Sequence, residues 1–103
     1  MIAVSVLYPN KDNATFDFEY YGNNHIPMIR ELLGTACRAI IVERGLSGAT
    51  PGSKAPFFVL AHLHFNSLES FQSAFGPHAQ GILEDIPRFT NTQPLVQISE
   101  IAI

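Results

Sequence analysis

The chain reads as an α+β domain of the ferredoxin-like type, βαββαβ, with a four-stranded antiparallel sheet and helices on one side only. Three observations lead there. The hydrophobic pattern switches between a period of two and a helical period in the order strand, helix, strand, strand, helix, strand. Two right-handed βαβ units in that order interleave into one antiparallel sheet. Hydrophobic residues make up 47% of the chain and charged residues only 15%, which leaves apolar surface over after one helical layer is covered. At 103 residues the chain is read as a single domain, 1–103, large enough for one core and small enough to gain from association. The expected assembly is a homodimer in which two sheets stack face to face as a dimeric α+β barrel.

Ile2, Val4, Val6 and Tyr8 alternate with Ala3, Ser5 and Leu7 up to Pro9-Asn10, which predicts the first strand. Asn13 or Thr15 is expected to cap a helix running to about Gly22-Asn23. Pro27 predicts a break, after which a second segment carries Ile29, Leu32 and Leu33 until Gly34 stops it. Ile40, Ile41 and Val42 centre a second strand over 38–44, and the Gly-, Pro- and Ser-rich stretch 45–56 is a loop, read as a flap or as surface decoration. The third strand, 57–65, sends Phe57, Val59, Ala61, Leu63 and Phe65 to one face and Phe58, Leu60, His62 and His64 to the other. Asn66 with Glu69 suggests a capping box for a helix bearing Leu68, Phe71 and Phe75, which Gly76-Pro77 breaks. A further helix carries Ala79, Ile82, Leu83 and Ile86 to Pro87, and 95–103 is the closing strand.

Composition removes several function classes. A net charge of −3 with six scattered Lys and Arg gives no footprint for a phosphate backbone, so nucleic acid is not an expected partner. No apolar run approaches membrane-spanning length, and the apolar start lacks the basic flank of a signal sequence. Cys37 is the single cysteine, which excludes an intrachain disulfide and fits a reducing cytoplasm; it reads as a small hydrophobe. The glycines of 45–52 lack the Lys-Ser/Thr ending of a phosphate loop.

The best candidate for a working site is Tyr20-Tyr21-Gly22-Asn23-Asn24-His25-Ile26-Pro27, where helical period places Phe18, Tyr21 and His25 along one face beside a proline. The same residues also fit an aromatic core stripe with a helix-capping imidazole. His62 and His64, two apart on a strand, point the same way, yet no third ligand at a recognised spacing completes a metal site; hydrogen-bonded polar residues inside a barrel are the preferred reading, and no metal is expected.

The combination of Glu19-Tyr20-Tyr21, His25-Ile26-Pro27, Glu43-Arg44-Gly45, Phe65-Asn66-Ser67 with Phe71 and Phe75, and Asp85-Ile86 before Thr90 resembles the EthD family over nearly the whole chain. Each motif is short; their order and spacing carry the resemblance. It implies the dimeric α+β barrel group, which includes small antibiotic-biosynthesis monooxygenases, muconolactone isomerases and polyketide cyclases. EthD itself is named for ethyl tert-butyl ether degradation, where it accompanies an oxygenase system. Cofactor-free chemistry of this group needs an apolar chamber, a base near neutral pKa and donors for a developing oxyanion. On that analogy His25 is the base and Tyr20 or Tyr21 the donor, helical period favouring Tyr21, with Asp85 or Glu43 orienting the imidazole. Phe18, Tyr20, Phe58, His62, His64, Phe71 and Phe75 are the expected lining of the substrate site. The expected ligand is a small apolar carbonyl, lactone or phenolic compound, handled without cofactor by an isomerase, cyclase or oxygenase. The alternative is a non-catalytic accessory or carrier protein of an oxygenase system.

Overall fold

The structure, a computed structural model, describes residues 1–103. Strands β1 (Ile2–Pro9), β2 (Ala39–Arg44), β3 (Phe57–Phe65) and β4 (Leu95–Glu100) form one sheet in the order β2-β3-β1-β4, every neighbouring pair antiparallel. This is the ferredoxin-like α+β arrangement. The first crossover holds α1 (Phe18–Tyr20), a π turn (Tyr21–His25), α2 (Ile26–Leu33) and a 3-10 turn (Gly34–Ala36). The second holds α3 (Leu68–Phe75), a 3-10 turn (Gly76–His78), α4 (Ala79–Asp85) and a last 3-10 turn (Ile86–Arg88).

The two faces of the sheet follow the period of two. Val4 and Tyr8 on β1 and Val59, Ala61, Leu63 and Phe65 on β3 are buried beneath the helices, with Ile26, Ile29, Leu33 and Ile82 closing on them. On the other face the register aligns Ile41, His62, Ser5 and Gln97 in one row and Glu43, Leu60, Leu7 and Leu95 in the next. His62 is held there by Ser5 Oγ at 2.9 Å from Nδ1 and by Glu43 Oε1 at 3.4 Å from Nε2. Ile41 and Leu95 remain 46% and 58% exposed, so this face carries unpartnered apolar surface beside polar groups.

Several sequence expectations shift by local physics. Neither Asn13 nor Thr15 caps the first helix. Asn13 sits in a left-handed turn, and the cap is Asp17, whose carboxylate accepts the Tyr20 N–H at 3.0 Å. Ser67, not Asn66, caps α3 by accepting from the Ser70 N–H at 3.0 Å. Pro27 does not break the helix. A proline has no N–H to give and its ring strikes the carbonyl four residues back. The chain relieves both by widening the turn ahead of it: the Ile26 N–H reaches the Tyr21 carbonyl, five residues back. Gly34 ends α2 as expected, with φ +58°. β4 stops at Glu100, short of Ile103.

The face of Phe58 is also corrected. The β1–β3 register slips at Tyr8/Pro9, where Tyr8 pairs with Val59 and Pro9 with Phe57. Phe58 is skipped, and its ring stacks on Phe16 at 5.5 Å. It thereby joins a cluster in which Phe16 also touches Tyr8, Tyr21 and Phe89, instead of lying beside His62 and His64. Gly45, at the end of β2, bonds the Phe58 carbonyl at 2.9 Å, and a Cβ there would meet the Phe57 carbonyl oxygen, so the start of the 45–56 loop admits no side chain. No helix is long and apolar enough to cross a membrane.

Candidate active site

Between the helical layer and the sheet lies a cavity of about 230 Å³, smaller than the ~300–1,000 Å³ of typical ligand sites. Its floor is Val4, Val6, Ala61 and Leu63; its roof comes from α2, through Ile29 and Leu33, and from α3 and α4, through Phe71, Phe75 and Ile82. Tyr8, Tyr21 and His25 also line it, although its surface is almost wholly apolar and their polar atoms only graze it.

The π turn sets His25. Both Tyr21 and His25, first and last residues of that turn, are buried, the latter only 2% exposed. Its ring lies 4.6 Å from that of Phe89 and stacks on Tyr21 at 5.6 Å. The side chain makes no helix cap. Instead Nδ1 lies 2.8 Å from Asp85 Oδ2, at the end of α4, while the other carboxylate oxygen accepts the Tyr20 hydroxyl at 2.9 Å and faces Arg88 Nε at 3.6 Å. Burial pushes the His25 pKa down and the Asp85 hydrogen bond and charge offset part of it, with a net lowering from 6.5. Burial pushes the Asp85 carboxyl up, but the hydrogen bonds from His25 and Tyr20 prevail and hold it below its ordinary value. The pair therefore rests as neutral imidazole and carboxylate. With Asp85 accepting the Nδ1 proton, Nε2 carries the free lone pair, and no protein group bonds it.

A short zipper locks the two crossovers together around this pair. Phe16 bridges Thr90, the Asp17 N–H bonds the Phe89 carbonyl at 2.7 Å, and Thr90 Oγ1 donates to the Thr15 carbonyl at 2.7 Å. That contact brings Phe89 under the His25 ring.

Of the residues singled out in the sequence, His25, Tyr21, Phe71 and Phe75 line the cavity and Asp85 stands directly behind His25. Tyr20 acts from outside, through Asp85. Phe18 lies under the Arg44 guanidinium, 4.5 Å from the ring centroid, in a separate surface recess that it shares with Phe58. His62 and His64 occupy the opposite sheet face, and Glu43 approaches His62 rather than His25. No group of three or more His, Cys, Asp or Glu side chains is placed to hold a metal ion. Burial pushes the Cys37 thiol up, away from the thiolate. Sequence reading missed Tyr8 and Phe89. Tyr8 was within reach, since it shares the β1 face of Val4 and Val6; Phe89 is brought in by a contact across more than 70 residues, which no local pattern announces.

A ferredoxin-like α+β domain with a buried histidine, backed by a partly buried aspartate, on a cavity between sheet and helices is the class that fold and site define. The family model for the EthD domain matches residues 9–93. An EthD-like protein from Ralstonia eutropha JMP134 is 38% identical with a TM-score of 0.93, covering 99% of this chain and 92% of that one. An ethyl tert-butyl ether degradation (EthD) family protein from Bacillus halodurans C-125 is 23% identical with a TM-score of 0.75, covering 97% of both chains. HapK from Hahella chejuensis shares the fold at 14% identity and a TM-score of 0.58, over 100% of this chain and 95% of that one. No curated protein matches. The chain belongs to the EthD family.

Proposed function

We propose that this protein is a cytoplasmic, cofactor-independent acid/base enzyme of catabolism or secondary metabolism acting on a small apolar oxygenated compound, with His25 as base. The observation that carries this reading is the His25–Asp85 pair: the carboxylate fixes the tautomer and leaves Nε2 of a cavity-lining ring free to take a proton. Tyr21 is the donor to the ligand oxygen, and Phe71 and Phe75 supply apolar wall. The chemistry such a site performs best is proton transfer at a carbon beside a carbonyl, because an apolar chamber strengthens each polar contact within it.

The test is solvent deuterium exchange, followed by NMR, at the α-carbons of a panel of cyclic ketones, lactones and 1,3-dicarbonyl compounds. Exchange above the buffer rate, abolished in Ala61→Leu, whose side chain fills the cavity floor, supports the enzyme reading. Ligands that protect the protein thermally with no exchange from any of them favour the carrier reading, an accessory role in an oxygenase system such as ether degradation.

The open sheet face fits a second copy of this chain, stacked over Ile41, Leu60 and Leu95 as a homodimer. Sedimentation velocity is expected to give twice the chain mass, and Leu60→Asp to return it to the monomer with its circular dichroism unchanged. A wild-type monomer at high micromolar concentration would refute the stacked barrel.

A further inference from the structure

Two phenols in the cavity lack any partner. Tyr8 reaches it from the end of β1 and Tyr21 from the π turn, their rings in edge-to-face contact with centroids 5.8 Å apart. They are 2% and 1% exposed, and neither hydroxyl bonds another protein group, although each still touches accessible space. Buried hydroxyls are ordinarily paired, and the exceptions call for a reason. No Lys or Arg lines the cavity to neutralise an anion there. Burial holds both phenols well above the ordinary tyrosine range, and the neighbouring Tyr21 raises Tyr8 further, so both stay protonated donors.

We propose that Tyr8 and Tyr21 form a two-donor site for a single ligand oxygen, close to the free Nε2 of His25, and that the ligand class is a small, neutral, enolisable carbonyl compound. The donor pair rests on two adjoining, unpartnered phenols on one cavity wall; the reaction assigned to it rests on His25 acting as base. In that reaction Nε2 takes a proton from the carbon next to the carbonyl. The C–H electron pair becomes the new C=C bond, and the carbonyl π pair moves onto oxygen, where the two O–H groups hold the enolate. The imidazolium then delivers a proton, after exchanging its own with solvent, to the same carbon, or passes the abstracted one to another carbon of the conjugated system. The first gives exchange, the second an isomer, and neither needs an oxidant or reductant.

The two-donor arrangement suits this chemistry because charge grows on oxygen only as the proton leaves. Hydrogen bonds to an oxyanion are stronger than those to a neutral carbonyl, so they stabilise the transition state more than the bound substrate. Lacking a cationic side chain, the site would also discriminate against ligands that arrive as carboxylates, whose desolvation nothing repays.

The experiment uses 2-naphthol, an apolar probe with one oxygen, and naphthalene, the same frame with none, titrated by fluorescence against wild type, Tyr8→Phe, Tyr21→Phe and the double variant. Each single variant keeps the ring and is expected to weaken 2-naphthol by roughly 3- to 10-fold, while naphthalene binds all four proteins alike. The losses are expected not to multiply in the double variant, since donors sharing one acceptor are coupled. No binding of 2-naphthol to wild type, wild-type affinity in Tyr8→Phe, independent losses, or an equal loss for naphthalene would each overturn the shared-oxygen site. Deuterium exchange separates the two readings. Exchange that survives Tyr8→Phe unchanged sinks the donor pair and leaves His25 standing; a coupled loss of 2-naphthol binding without exchange in any protein does the reverse.

Discussion

Substituting His25→Gln is expected to reduce α-carbon exchange by about 10²–10⁴-fold, the usual worth of a positioned general base. The amide N–H can still donate to the Asp85 carboxylate, so the packing against Tyr21 and Phe89 is largely kept while the basic lone pair is gone. Ligand binding should therefore survive, and the loss should fall on turnover rather than on affinity. The pH dependence follows from the direction of the His25 shift. Its folded pKa lies below 6.5, so exchange is flat through neutrality and falls only on the acid side of that value. The stability linkage has the same sense. Between the lowered folded pKa and the ordinary ~6.5 the unfolded chain binds the extra proton, so stability is complete above about pH 6.5 and drains away as pH falls below it. Asp85, also lowered, contributes above the ordinary carboxylate value of ~3.9 and loses that contribution as pH falls through its folded value. Thermal melts from pH 8 to pH 3, with wild type beside His25→Gln, check both; a variant retaining the wild-type slope between pH 6.5 and 5 would remove His25 from the account.

Asp85→Ala has the largest expected effect on stability. It strips the partner from a buried imidazole N–H and from the Tyr20 hydroxyl at once. Leaving the buried imidazole N–H unsatisfied costs about 1–3 kcal/mol, a fall in Tm of roughly 5–20 °C for a chain of this size, while the Tyr20 hydroxyl turns to water. Tyr20→Phe, which removes one solvent-side contact only, should lower Tm far less than Asp85→Ala does. A second readout separates positioning from folding. The carboxylate raises the His25 pKa against burial, so without it the imidazole titrates lower still, visible by NMR at a temperature where the variant remains folded. A His25 titration that moves up, or stays in place, would refute the assigned role of Asp85.

The fold was legible wherever chemistry is local. Alternation on β1 and β3, the β-branched centre of β2, the glycine at 34 and the Leu68/Phe71/Phe75 period each specify their element without outside help. Pairing His25 with Tyr21 needed only the helical repeat. The misreadings have equally definite causes. Pro27 is a break in a regular helix but not in a turn that is one residue wider, and nothing in the side chains announces the wider turn. Phe58 follows the alternation of its strand until the register slips, and the slip is set by pairing with β1. Asn13, Thr15 and Asp17 are all competent caps, and the zipper with residues 89–91 decides among them by fixing where the chain turns. The partner of His25 fell between Asp85 and Glu43 because both lie far along the chain; only the docking of α4 against the π turn selects Asp85.

That same zipper determines when the site can exist. His25 and Asp85 are 60 residues apart, and Thr15 and Thr90 are 75 apart. Loop closure over such separations is slow compared with forming helices and hairpins. During folding, the secondary structure thus precedes the working centre, and an intermediate with native helix content would have neither base nor cavity. In stopped-flow refolding the far-UV signal is expected to recover ahead of ligand protection, and simultaneous recovery would show that the centre forms in the nucleus. On the proposed function, a product of incomplete folding would be inert rather than partly active, and activity would certify that the two crossovers have met.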